Sequence, residues 1–155
     1  MAVRHLVHLW RPRRAAGALL FDPAGQLLLV RDRLRREWGY PGGYLNHGEA
    51  PLIGCAREIG EEVGLAVAPG RLQWLDEHRW SRPLGELTFT TFTAQLASAE
   101  AEAVRLQRRE LTAYQWVSVA EAPDMIAPRL RPRLEQLLAL TGITTALRTH
   151  DGHIS

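Results

Sequence analysis

The 155-residue chain contains no lysine; all 19 of its basic residues are arginine. Arginine forks suit phosphate oxygens, but a GC-rich coding sequence produces the same usage, so this absence alone assigns nothing. There is one cysteine, Cys55, which excludes an intrachain disulfide and fits a reducing compartment. Long apolar runs are missing too. No stretch approaches the roughly 18 residues that cross a bilayer as a helix. Residues 1–14, interrupted by Arg4, His5, His8 and Arg11, lack the unbroken apolar core of a signal peptide. Excess charge is small, at +2 with histidines neutral, too little to argue for nucleic acid. Arg4, Arg11, Arg13 and Arg14 near the terminus do not make a nucleic-acid surface without a recognition fold. The absences together predict a cytoplasmic protein with no membrane and no nucleic-acid partner.

What is present suffices for a core. The chain is 46% apolar, and its length suits one domain spanning 1–155. Two apolar runs, 15–21 and 26–30, flank Asp22-Pro23-Ala24-Gly25. Proline second and glycine fourth predict a hairpin on a type I turn. The arginine-rich segment 31–37 reads as a loop. Trp38-Gly39-Tyr40-Pro41-Gly42-Gly43 excludes a regular helix. A helix is predicted over 51–63, with proline in its first turn. Leu52, Cys55, Ala56 and Ile59 form its apolar stripe, and Gly64 is its left-handed cap. Segments 72–80, 86–96 and 114–119 read as strands, the second with both faces buried. Segment 121–125 reads as a helical turn and 129–140 as an amphipathic helix. The polar segment 142–155 is expected to form a mobile tail. Strands interleaved with two helices predict an α/β domain with a mixed sheet covered on both sides.

The chemistry concentrates on the helix predicted over 51–63. Glu58, Glu61 and Glu62 stand at i, i+3 and i+4, which gathers three carboxylates on one face. They repel one another, and the helix C-terminus nearby disfavours anions. A cation should compensate, and clustered hard oxygens suit Mg²⁺ or Mn²⁺. Such an ion keeps positions open for water and substrate phosphates. Taken alone, three glutamates on a helix are more often a solvated face.

The wider pattern decides against that. Gly43, five residues, Glu49, seven residues, then Arg57-Glu58-Ile59-Gly60-Glu61-Glu62-Val63-Gly64-Leu65 fills every specified position of the Nudix box. Chance would produce the match in well under about one chain in a million. Residues 43–65, with the lead-in from Trp38 to Gly43, resemble the Nudix (MutT-like) hydrolases. The resemblance implies an α/β/α sandwich with a central mixed sheet, and a diphosphate joined to another group as substrate. It implies Glu58, Glu61 and Glu62 as metal ligands, one of them also taking the proton of the attacking water. Glu62 would be the most direct ligand, completed by the carbonyl of Gly42. Arg57 and Glu49 look like the family's structural pair, with Gly43 and Gly64 shaping the loop and helix end. In many members a further glutamate outside the box serves as base or extra ligand; the resemblance makes Glu110 the candidate, ahead of Glu100 and Glu102.

Substrate contacts are less determined. Arg31, Arg33, Arg35, Arg36, Arg79 and Arg82 stand where they would rim the site, with Arg31, Arg33 and Arg79 singled out. Tyr40, Trp74 or Trp80 would stack on a ring, although aromatics in strands are more often core. Trp38 and Tyr44 are open to both readings. His47 reads as a solvent-facing loop residue and Cys55 as core. The ADP-ribose and coenzyme A signatures are absent; the nearest proline, Pro83, lies eighteen residues beyond Leu65. The leading expectation is hydrolysis of a nucleoside triphosphate, oxidised or not, ADP-ribose or a nucleotide sugar. The alternatives are a prenyl diphosphate and a non-catalytic ligand sensor. Family members often form homodimers, and this chain leaves its oligomeric state open.

Overall fold

The computed structural model describes residues 12–142. The segment read as lacking a signal-peptide core, up to residue 11, and the expected mobile tail beyond Gly142 lie outside the described residues. The strands are β1 (Arg13–Phe21), β2 (Leu27–Asp32), β3 (Trp38–Gly39), β4 (Gly42–Tyr44), β5 (Gln73–Arg82), β6 (Gly85–Gln95) and β7 (Leu111–Val117). The helices are α1 (Pro51–Val63), α2 (Ser98–Glu102), α3 (Ala122–Met125) and α4 (Arg131–Thr141).

The strands form one mixed sheet. Its main path runs β3-β2-β1-β6-β5, while β4 pairs with β1 and β7 with β2. The β1–β6 pair is parallel and the other pairs are antiparallel. β1 explains why the sheet is covered twice. Ala16, Ala18 and Leu20 join the core under α1, with Cys55, Ile59 and Val63. Leu19 and Phe21, on alternate positions, join the opposite core with Leu134, Leu137 and Leu138 of α4. A strand rises with its side chains alternating between faces, so this apolar run supplies both layers. The result is an α/β sandwich with helices on both faces of a mixed sheet, as the sequence predicts. Among the described residues no helix is long and apolar enough to cross a membrane.

Local signals set most boundaries. The β1–β2 turn closes with the Gly25 N–H donating to Asp22 O at 3.0 Å, and the Asp22 carboxylate accepts the Ala24 and Gln26 amides. Helix α1 starts at Pro51 and is capped by Gly64, whose φ of 71° is left-handed. Three predictions shift. Residues 128–130 form a 3₁₀ turn, and α4 starts only at Arg131, because Pro132 fits a first turn and not an interior. β7 begins at Leu111 rather than 114, because Leu111 pairs with Asp32 across a register shift. In β6, full burial is confined to Thr90, Thr91, Phe92 and Ala94.

Leu134 is fully buried on α4. Leu134→Ala is expected to destabilise the protein by about 2–5 kcal/mol through lost transfer energy and the cavity it leaves. Chemical denaturation checks this; a change within experimental error would place α4 outside the core.

Candidate active site

One guanidinium organises the box. Arg57 Nε and Nη2 donate to the two carboxylate oxygens of Glu49, at 2.9 and 2.8 Å. Nη2 also donates to Tyr44 O at 3.2 Å, and Nη1 to Glu58 Oε1 at 3.1 Å and Glu61 Oε2 at 3.0 Å. All the donors a guanidinium has are thereby used. Glu49 Oε1 also accepts the Asn46 N–H at 3.0 Å, closing the loop that leads into α1. Arg57, then the Asn46 amide, hold the Glu49 carboxyl down at a pKa of about 2.

Glycine lets the carboxylates reach the backbone. A Cβ on Gly43 would lie 2.6 Å from the Glu58 carboxylate, and one on Gly42 only 2.6 Å from Ala16 O. The Gly42 N–H donates to Glu62 Oε2 at 3.0 Å. Glu58 and Glu62 are buried, at 9% and 8% exposure, while most of the Glu61 carboxylate arm is open to water. Burial pushes the Glu62 pKa up to about 8; the Gly42 amide opposes this, and the charges of Glu58, Glu110 and Glu61 add to it. Glu58 is raised for the same first reason, against the pull of Arg57. Exposed Glu110 acts on both carboxylates from the turn before β7, where its carbonyl accepts the Arg33 N–H at 2.8 Å.

The carboxylates are not drawn into a finished cage. Among the described residues no three acidic, histidine or cysteine side chains form a metal-holding group, and Arg57 Nη1 donates to both Glu58 and Glu61. The donor set nevertheless suits a hard divalent ion. Two buried carboxylates repel each other with part of that repulsion unanswered, and the cation bridging their neighbour is a guanidinium.

Glu62 and Gly42 face a cavity of about 160 Å³ whose wall includes Tyr40, Arg35, Arg129 and Leu130. Sequence reasoning placed Tyr40 there but missed Arg129, because 129–140 read as one helix face. Arg129 is paired with Glu37 at 2.8 Å. Arg31 and Arg33 are near in sequence, yet each guanidinium is turned to a backbone carbonyl, that of Arg36 and of Arg108 respectively. Arg79 is exposed on β5, 3.7 Å from Glu77, and does not line this cavity. Trp74 is 61% exposed. His47 is exposed. Cys55 is fully buried, and burial followed by Glu58 and Glu62 pushes its thiol up to about 12, which leaves it a core residue.

Residues 11–139 match the NUDIX domain. The chain belongs to the Nudix family. A MutT-like protein of Streptomyces ambofaciens is 31% identical over 128 residues, 83% of this chain and 77% of that one. An RNA pyrophosphohydrolase of Actinobacillus pleuropneumoniae is 33% identical over 69 residues, 44% of this chain and only 32% of its own length. The crystal structure of a MutT protein from Methanosarcina mazei superposes with a TM-score of 0.67 at 22% identity, covering 81% of this chain and 92% of that one. As a Nudix pyrophosphohydrolase, the protein belongs to a family that acts on pyrophosphate bonds and typically depends on a divalent metal.

The Glu49 pKa gives a pH test of the clamp. A carboxylate lowered from 4.5 to about 2 on folding contributes stability that is present above pH 4.5 and lost as pH falls toward 2. Glu49→Gln is therefore expected to melt below the wild type at neutral pH, the gap closing between pH 4.5 and 2. Melting curves across that range decide; a gap independent of pH would mean that the Arg57 contact does not hold Glu49 ionised.

Proposed function

We propose that the protein hydrolyses a nucleoside diphosphate linked to another moiety, a nucleoside triphosphate, ADP-ribose or a nucleotide sugar, with Mg²⁺ or Mn²⁺. The observation that carries this reading is Glu62, a buried carboxylate of raised pKa set in a cavity wall beside Tyr40, Arg35 and Arg129. A relative that is by name an RNA pyrophosphohydrolase supports a nucleotide rather than another diphosphate.

Glu58, Glu61 and Glu62, with the Gly42 carbonyl, would hold the divalent ion. When bound, such an ion would neutralise charge on the phosphate oxygens and lower the pKa of the attacking water. The chain's own residues supply position and proton transfer. Glu49 and Arg57 fix α1 against the loop 43–50. The water oxygen attacks one phosphorus, the bridging P–O bond breaks, and two phosphorylated products leave. Glu110 takes the proton of the water; it is exposed and lies within electrostatic reach of both buried carboxylates. Arg35 and Arg129, which line the same cavity as Glu62, supply guanidiniums for the phosphates.

A phosphate-release screen over nucleotides, nucleotide sugars and prenyl diphosphates tests the reading. Turnover is expected for nucleotide substrates and only with the divalent ion. Turnover of prenyl diphosphates alone would replace the nucleoside assignment. Glu62→Gln is expected to lower kcat by about a hundredfold or more, and Glu110→Gln by about tenfold or more, with folding intact. Full metal-dependent activity in Glu58→Gln and Glu62→Gln would refute the site, and an unchanged rate in Glu110→Gln would remove that residue from the mechanism.

A further inference from the structure

Strand β5 ends the main path of the sheet and pairs with β6. Among the described residues no strand lies along its other edge, which turns a row of backbone N–H and C=O groups outward. At ten residues the edge is roughly twice the usual strand length. Such an edge is a template for another strand, and proteins blunt it with short strands, proline, bulges or charge. Here the bulge lies near one end, between Trp74 and Asp76. Beyond it, Asp76 to Arg82 keeps an unbroken register with β6 and contains neither proline nor glycine.

Charge is the remaining device, and its pattern points to one partner. Side chains alternate between the faces of a strand. Glu77 and Arg79 stand in register with Thr90 and Thr88, on the α1 face. His78 and Trp80 stand in register with Phe89 and Leu87, on the other. Glu77 and Arg79 are exposed. Arg79 Nε lies 3.7 Å from Glu77 Oε1, beyond hydrogen-bond reach, so the guanidinium keeps its donors for a second carboxylate. Two copies of one strand pair antiparallel about a two-fold axis normal to the sheet, and that axis sets residues of one face opposite residues of the same face. Centred on Glu77, the axis would oppose that carboxylate to itself. Centred on Arg79, it would oppose two guanidiniums. Centred on His78, it sets Glu77 opposite Arg79 of the partner subunit, and Arg79 opposite the partner subunit's Glu77. Opposite charges across strands attract and like charges repel, so the edge is complementary to itself in the register centred on His78. The bulge falls outside that pairing. On the other face the His78 and Trp80 rings, 4.5 Å apart and edge to face, flank the axis with aromatic surface.

We propose that the protein associates with a second copy of itself through β5, the two strands antiparallel about an axis at His78, so that one continuous sheet runs through both protomers. Main-chain hydrogen bonds supply the attraction, as in any added strand, and the alternating glutamates and arginines fix the register. The contact is a strand edge with few side chains, so the association is reversible and weakened by salt. None of the residues it uses lines the cavity that holds Glu62, and it stands independently of the catalytic reading.

Sedimentation equilibrium of the full chain tests this. A monomer–dimer equilibrium is expected, shifting toward dimer as protein concentration rises over about a hundredfold range and toward monomer as salt rises. Glu77→Arg and Arg79→Glu are each expected to weaken dimerisation by about tenfold or more, because each turns both cross-strand pairs into like charges. Combined in one chain they are expected to restore it, since the pairs re-form with their signs exchanged. Both side chains are exposed, so the reversals leave the fold intact. His78→Cys is expected to give a disulfide-linked dimer under mild oxidation, because residues directly opposite across an antiparallel pair lie within disulfide reach; Cys55 is buried and stays out of the reaction. A chain that is monomeric at every concentration, a dimer indifferent to both single reversals, a double variant no tighter than the singles, or a His78→Cys chain that does not cross-link would overturn the proposal.

Discussion

The Arg57 guanidinium holds the functional end of the molecule in one shape. It joins Glu49 of the loop to Glu58 and Glu61 of α1 and to the Tyr44 carbonyl next to β4. Exposed ion pairs contribute little because water screens them. This one differs in being bidentate and in having every donor engaged. Without it, two carboxylates on α1 would face each other with no cation between them, and the loop 43–50 would lose its tie to the helix. The glycines at 42 and 43 complete the arrangement by letting strand β4 lie directly on Glu62 and Glu58.

The two faces of the sheet carry different physics. Under α1 the core is apolar up to the point where Glu58 and Glu62 emerge, and their burial is what raises them. Under α4 the core is equally apolar at one end, with Leu134, Leu137 and Leu138. It turns polar at the other, around Arg133, Asp76, Thr91 and Tyr40. Tyr40 sits at the junction, three residues from Gly43 and in the wall shared with Glu62.

Much of this was legible in the sequence because the signals are local. Pro51, the stripe through Cys55 and Ile59, and Gly64 define α1 without reference to the rest of the chain. The clamp between Glu49 and Arg57 was implied by the resemblance of residues 43–65 to the Nudix box. What could not be read depends on tertiary register. Arg133 meets Asp76 across 57 residues, and only the irregularity in β5 brings Asp76 opposite Thr91. Arg129 joins the cavity wall because a 3₁₀ turn precedes α4, a detail that an amphipathic pattern does not encode. Arg31 and Arg33 looked like phosphate ligands by composition, yet loop geometry turns their guanidiniums to carbonyls.

The central claim is that Glu58, Glu61 and Glu62 gather around a divalent cation. Electron paramagnetic resonance of Mn²⁺ titrated into the protein measures this directly, since bound and free ions give separable signals. The account predicts saturable binding to the wild type that is displaced by Mg²⁺ and lost in a folded Glu58→Gln, Glu62→Gln double variant. Undiminished Mn²⁺ binding in that variant, or none in the wild type, would contradict it.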